Sequence, residues 1–201
     1  MKAATAQITA SFHKLQRAVA QGASLSYCLR LWSQFIRVRD ARRCVICHSQ
    51  SNLTAHHIVR KSFLPEARFQ TGNGITLCNV CHKEPHKAFN KRPDIDLPMD
   101  AQGGENIELL MGFFSALMSD AKRRSLLNDQ YYYLSDEVLI KFKAFQSISR
   151  DLPFPGTRLE QAYLIWRQTP RRTLGAFLQA MGFSLSDDFI QLGTFSVIPK
   201  P

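Results

Sequence analysis

Residues 44–86 read CVICHSQSNLTAHHIVRKSFLPEARFQTGNGITLCNVCHKEPH, and two Cys-x-x-Cys pairs, Cys44/Cys47 and Cys78/Cys81, frame most of this stretch. Each pair presents two thiolates on a tight knuckle, as a tetrahedral zinc ion requires. The segment between them is short and polar, with turn residues at Thr71-Gly72-Asn73-Gly74. It is expected to bury little surface unaided and to need a metal to hold it. A redox pair is the other common use of Cys-x-x-Cys, but nothing here resembles the strand-and-helix setting of a thioredoxin-like motif. The fifth cysteine, Cys28, falls on an apolar helical face and reads as a small buried hydrophobe.

Outward from this stretch the pattern turns helical. Upstream, Ile8, Phe12, Leu15 and Val19 recur at helical spacing before Gly22, and Ser24 precedes a second stripe of Leu25, Cys28, Leu29, Trp32 and Ile36. That stripe ends in Arg37, Arg39, Arg42 and Arg43. Positive charge there complements a helix dipole, and its position beside the cysteine motif also suits contact with a DNA backbone. Downstream, Pro93, Pro98, Gly103 and Gly104 read as a linker, and the remainder is expected to be helical. Ile107, Leu110, Met111, Phe114 and Leu117 mark one helix. Ser135 caps another with Val138, Leu139, Phe142 and Phe145. Thr157 and Glu160 form a capping box ahead of Leu159, Tyr163 and Trp166. Thr169-Pro170 opens a last helix with Leu174, Phe177, Leu178 and Met181, stopped by Gly182. The implied organisation is a basic helical segment (1–43), a metal-stabilised module (44–92) and a helical region (93–201).

The chain of 201 residues carries a net charge of +10, and the charge is uneven. Residues 1–100 hold 15 Lys and Arg against 6 Asp and Glu, whereas residues 101–201 hold 11 against 10. The N-terminal half is therefore the expected phosphate-facing half, with DNA as the first partner and RNA also compatible. Its near-neutral counterpart could dock a protein partner. No run of about 18 apolar residues and no N-terminal apolar segment occurs, so no membrane partner and a cytoplasmic setting are expected.

Histidine placement carries the chemistry. His56, His57, His82 and His86 cluster around the second half of the cysteine motif. On a helix, the i,i+4 spacing of His82 and His86 puts both imidazoles on one face, as a shared metal needs. On a strand, His56 and His57 point oppositely, so one can bind metal while the other reaches a water. Pro85 sits inside that ligand helix, where its ring would clash with the carbonyl of Cys81 unless the helix starts late or kinks.

Taken together, Cys44-Val-Ile-Cys47, Ala55-His56-His57-Ile58, the run from Asn73 through Leu77-Cys78-Asn-Val-Cys81-His82, and His86 resemble the HNH endonuclease family, over about a quarter of the chain. The resemblance implies an α+β protein in which a small ββα-metal module with a structural zinc is embedded in a mainly helical chain. It implies that His57 is the general base, that Asn73 tethers the loop and helps orient that base, and that His56, His82 and His86 hold a catalytic ion. Cys44, Cys47, Cys78 and Cys81 correspond to structural zinc knuckles. Many relatives place a carboxylate where His56 stands; an all-imidazole set favours Zn²⁺ or Ni²⁺ over Mg²⁺, so Mg²⁺, Mn²⁺, Ni²⁺ and Zn²⁺ all stay open as the activating ion. Arg60, Lys61, Lys83 and Lys87 flank these residues as candidate phosphate contacts. The implied function is hydrolysis of DNA phosphodiester bonds by nicking or cutting, a role compatible with an effector of a bacterial antiphage defence system. The other reading of the same zinc and charge is a zinc-ribbon nucleic-acid-binding protein without catalysis.

Overall fold

Ile8, Phe12 and Leu15 share one face of helix α1, Lys2–Ala20, and all three are buried in the computed structural model of the chain. The structure describes residues 2–87, 106–146 and 148–168, together with two short strands near the C-terminus. Gly22, at φ +64°, takes up the left-handed conformation that reverses the chain after α1. Ser24 then caps helix α2, Leu25–Arg39, its hydroxyl accepting from the Tyr27 N–H at 3.4 Å. The two helices pack through Phe12 and Phe35, whose ring centroids lie 5.5 Å apart. Cys28 is buried between them, as its place in the stripe implies.

Strands β1, Leu53–His57, and β2, Gly74–Cys78, pair antiparallel with Leu53 opposite Cys78 and His57 opposite Gly74. A short helix, α3, Asn79–Lys83, follows directly. Contrary to the sequence expectation, the segment around β2 is far from exposed punctuation. Thr71, Gly72, Asn73 and Gly74 and every residue of β2 are buried. The glycines are sites of close approach: a Cβ on Gly72 would lie 2.9 Å from the Tyr132 carbonyl oxygen, and one on Gly74 would lie 2.6 Å from Trp32 Cζ2. The module therefore leans on its helical neighbours as well as on any metal.

Helices α4, Ile107–Arg123, α5, Asp136–Phe145, and α6, Arg158–Arg167, complete the described helices. Asn106, Ser135 and Thr157 cap them, and Thr157 and Glu160 form the reciprocal capping box expected from the sequence. Leu110, Phe114, Leu117, Val138, Leu139, Phe142, Leu159 and Trp166 point inward. The remainder is not helical throughout. Strands β3, Phe189–Gln191, and β4, Val197–Pro199, pair antiparallel, consistent with Phe189 and Ile190 in the first and the β-branched Val197 and Ile198 in the second. The expected linker at 93–104 and the expected helix from Thr169 to Gly182 lie outside the described residues. Buried side chains of α1, α2, β2 and α4 to α6 belong to one hydrophobic cluster, with Leu53 and Ala55 of β1 packed against it, in a mixed α+β architecture that is mostly helical.

One polar knot runs through this cluster. Arg39 and Asp40 are fully buried, paired through Nε and Oδ1 at 2.8 Å. Arg39 Nη1 donates to the Thr71 carbonyl at 2.5 Å and Nη2 to the Gly74 carbonyl at 2.6 Å, while its guanidinium lies over the Tyr132 ring at 4.3 Å. Asp40 Oδ2 accepts from the Thr76 N–H at 2.8 Å. Arg43 pairs with Asp120 of α4 at 2.8 Å. Arg39 and Arg43, two of the four arginines expected at a nucleic-acid backbone, are thus internal struts. Their positive charge is used to satisfy carbonyls and carboxylates that burial would otherwise leave unpaired.

Candidate metal centres and the strand between them

The first knuckle is closed by backbone bonds: Cys44 N–H donates to Ser49 O at 2.8 Å, and His48 N–H to Cys44 O at 2.9 Å with His48 at φ +62°. Val45 N–H donates to Thr76 O at 2.9 Å, which fastens this knuckle to β2. Cys78 ends β2 and caps α3, so Cys81 returns one helical turn later. The four Sγ atoms all lie within 4.8 Å of one another, and Cys47 and Cys78 come to 3.5 Å. Sulfurs around a tetrahedral zinc, with bonds of about 2.3 Å, sit about 3.8 Å apart. The four cysteines are therefore positioned to hold a metal such as zinc. The Cys81 backbone N–H foremost lowers the Cys78 thiol to about 7, so this ligand is ready to ionise. Burial and the neighbouring thiols push Cys81 the other way, above its ordinary range.

The second cluster comprises His56, His82 and His86, whose ligand atoms also lie within 4.8 Å of one another. His56 is buried against Phe113 of α4, with ring centroids 5.0 Å from His82 and 5.3 Å from His86. The helix expected to carry both later histidines stops short. α3 ends at Lys83, and a 3-10 turn at Glu84–His86 follows with Pro85 in its first positions, where a missing N–H costs no hydrogen bond. His82 and His86 nonetheless meet, ring centroids 4.8 Å apart. Burial first, then the repulsion that a proton on His56 would meet from protonated His82, His86 or His57 and from Arg60, push His56 down to about 3. Burial lowers His82 and His86 in the same direction. All three shifts favour the neutral imidazole, the form whose lone pair a metal binds.

His57 points to the other face of β1. Its ring stacks on Trp32 of α2 at 3.8 Å and 5° from parallel, and its Nε2 lies 2.9 Å from the Arg68 carbonyl oxygen. A carbonyl can only accept, so that nitrogen carries the proton and the other ring nitrogen holds the lone pair. Burial lowers His57 to about 4, with the Arg68 carbonyl opposing that shift. Gly74 faces His57 across the ladder, and its missing side chain leaves room for Trp32 against the imidazole. Asn73, fully buried, binds the chain just beyond β1: its Oδ1 accepts from Val59 N–H at 2.8 Å and its Nδ2 donates to Val59 O at 2.9 Å. It fastens the loop between the strands by holding both polar groups of Val59.

No protein-family model, curated protein or solved structure matches the chain. The chemistry is therefore read from the residues themselves. Among the expected phosphate contacts, Arg60 is half-buried and close enough for its charge to act on His56 and His86, while Lys61 and Lys83 are exposed. Lys87 is exposed but paired with Glu84 at 2.8 Å, which weakens its case. The sequence assigns Trp32, Gly74 and the Arg68 carbonyl no role at the site. Trp32 reads there as one more member of an apolar stripe, and a backbone carbonyl leaves no residue signature.

Proposed function

We propose that the chain is a metal-dependent endonuclease of the HNH kind, hydrolysing phosphodiester bonds of DNA. The observation that carries this reading is the division of labour across β1: His56 enters a three-imidazole cluster while its neighbour His57 turns to the opposite face, its tautomer set by a carbonyl. In-line displacement at phosphorus needs a nucleophile on one side and stabilisation of the leaving oxygen on the other, and adjacent strand residues supply opposite faces.

His57 takes a proton from water as the water oxygen bonds to phosphorus and the bond from phosphorus to the 3′ oxygen breaks. The 3′ oxygen then acquires a proton from solvent, giving 5′-phosphate and 3′-hydroxyl ends. A divalent ion held by His56, His82 and His86 would supply Lewis-acid stabilisation of the charge on the phosphoryl and departing oxygens. Arg60 holds the phosphate, Asn73 keeps the loop behind His57 closed, and Trp32 holds the plane of the His57 ring. A non-catalytic zinc ribbon would account for the four cysteines and the charge, but has no use for the imidazole cluster.

The test is cleavage of supercoiled plasmid with Mg²⁺, Mn²⁺, Ni²⁺ or Zn²⁺. His57→Ala is expected to lower the rate on the order of 10² to 10⁴ while DNA binding persists, because a general base acts chiefly in the transition state. His82→Ala is expected to stop cleavage by weakening the metal cluster, so raised metal concentration restores part of its activity and none of that of His57→Ala. Undiminished cleavage by purified His57→Ala would overturn the mechanism.

A further inference from the structure

The cations around the end of α2 divide into two groups. Arg39 and Arg43 are tied to Asp40 and Asp120. Lys14, Arg37 and Arg42 have no carboxylate partner among the described residues, and they line a cleft of about 400 Å³ between α1 and α2 together with Gln7, Ser11 and Gln34. The sequence explains the missing partners: residues 1–39 contain six Lys and Arg and no Asp or Glu. The backbone explains the convergence. Ala41 and Arg42, at φ +57° and +50°, turn the chain back on itself after α2, and the Arg42 N–H donates to Arg37 O at 2.7 Å. A non-glycine residue seldom adopts this conformation, and two in succession bring Arg42 beside Arg37 instead of carrying it away. Complementing the α2 dipole needs only one cation in the last turn. It does not call for strained backbone that gathers like charges around a concave surface.

We propose that the α1–α2 cleft is a second binding site for the sugar-phosphate backbone of nucleic acid, with Lys14, Arg37 and Arg42 on phosphate oxygens. Gln7, Ser11 and Gln34 add uncharged hydrogen-bonding groups of the kind that meet phosphate and sugar oxygens. Gln34, Arg37 and Val38 lie on a different face of α2 from Trp32, so the cleft is separate from the histidine cluster and contributes affinity and orientation, not chemistry. A concave cleft with small apolar residues, Ala10 and Val38, suits a backbone strand better than a membrane surface, which would call for large apolar side chains to insert. The proposal rests on nucleic acid being the partner of the nuclease site, but not on cleavage.

The experiment uses the full chain carrying His57→Ala, so that DNA survives, with and without Lys14→Gln, Arg37→Gln and Arg42→Gln together. Affinity for a short duplex is measured by fluorescence anisotropy across a salt series. Each phosphate contact contributes about 0.9 to the slope of log affinity against log salt, so the triple change is expected to reduce that slope by about 2 to 3. Zinc content and circular dichroism should match the parent. Replacing the exposed Arg17 and Arg30 by Gln is the control, expected to change the slope by less than half as much. An unchanged slope in the triple variant, an equal fall in the control, or loss of binding only to phosphatidylserine vesicles overturns the cleft assignment. If the triple variant does not fold, Arg37→Gln alone must lower the slope by about 1, with Arg37→Lys restoring it. Installed in otherwise wild-type protein, the cleft changes separate the two proposals. Cleavage with an unchanged slope leaves the nuclease and removes the cleft; a reduced slope without cleavage under any metal does the reverse. A parent that binds no DNA removes both.

Discussion

Asn73 shows how much one side chain can hold. It satisfies both the N–H and the carbonyl of Val59 in a place without solvent, so Asn73→Ala strands two buried groups at about 1 to 3 kcal/mol each. The expected outcome is a marked fall in the urea midpoint together with slower cleavage, since the loop that carries the Arg68 carbonyl loses its anchor. Asn73→Asp should cost at least as much, because it sets a buried carboxylate against the Val59 and Ala67 carbonyls that the Asn73 amide now serves. Gly74 makes the complementary point about a missing side chain. A methyl group there meets Trp32 and Ile36 at 2.6 Å, an overpacking that costs about 1 to 3 kcal/mol. Because Trp32 is the stacking partner of His57, Gly74→Ala is expected to lower cleavage rate more than plasmid affinity, which rate measurements at saturating and limiting DNA will separate.

At the level of elements, β1, β2 and α3 are too short to be stable alone; they are held from two sides. One side is the four-cysteine cluster, which links the knuckle at 44–49 to the junction of β2 and α3. Metal analysis of protein purified without chelator is expected to find about one tightly held zinc per chain, because four thiolates bind zinc more strongly than three imidazoles bind a catalytic ion. Cys78→Ser should lose that zinc. The other side is α2, which supports β2 through Trp32, Ile36 and Arg39. For that reason the loss of zinc is expected to speed hydrogen exchange across the knuckles and strands while most helical circular dichroism remains. Retention of zinc by Cys78→Ser would remove this cysteine from the ligand set.

Over the whole molecule, the Arg39–Asp40 pair is the junction where α2, the central strands and the segment before α5 meet. Arg39 reaches Thr71, Gly74 and Tyr131, and Arg124 of the chain beyond α4 donates to the Arg39 carbonyl and lies 3.1 Å from the Tyr132 hydroxyl. The same segment is stitched to the loop before β2 by Gly72 N–H to Tyr133 O at 2.8 Å and by the paired contacts of Gln70 with Ser135. Arg39→Ala leaves the buried Asp40 with only the more distant Arg124 guanidinium, 4.0 Å away, as counter-charge and is expected to cost about 3 to 5 kcal/mol. Thermal denaturation checks this, and the transition should shift as a whole instead of splitting, because the segments share one core. A loss confined to DNA affinity, with stability unchanged, would return Arg39 to the surface role suggested by its neighbours in sequence.

What the sequence determined by itself is local in character. Two thiols three residues apart on a knuckle, a hydroxyl ahead of an apolar stripe, a Thr with a Glu three residues on and a pair of adjacent histidines each constrain geometry over a single turn. The cysteine and histidine clusters, the caps of α2, α5 and α6 and the opposite facing of His56 and His57 were therefore legible. Pro85 was legible as an obstacle, though its solution, a helix handed over to a 3-10 turn, was not. Tertiary structure alone decided which charges are struts and which face solvent, since Arg39 is no different from Arg37 in sequence but finds carbonyls 32 and 92 residues away. It alone put Trp32 on His57 and turned two glycines from expected turn formers into contact points. The physical reason is that burial and close approach depend on which surfaces meet, and residues distant in the chain leave no periodic trace of meeting.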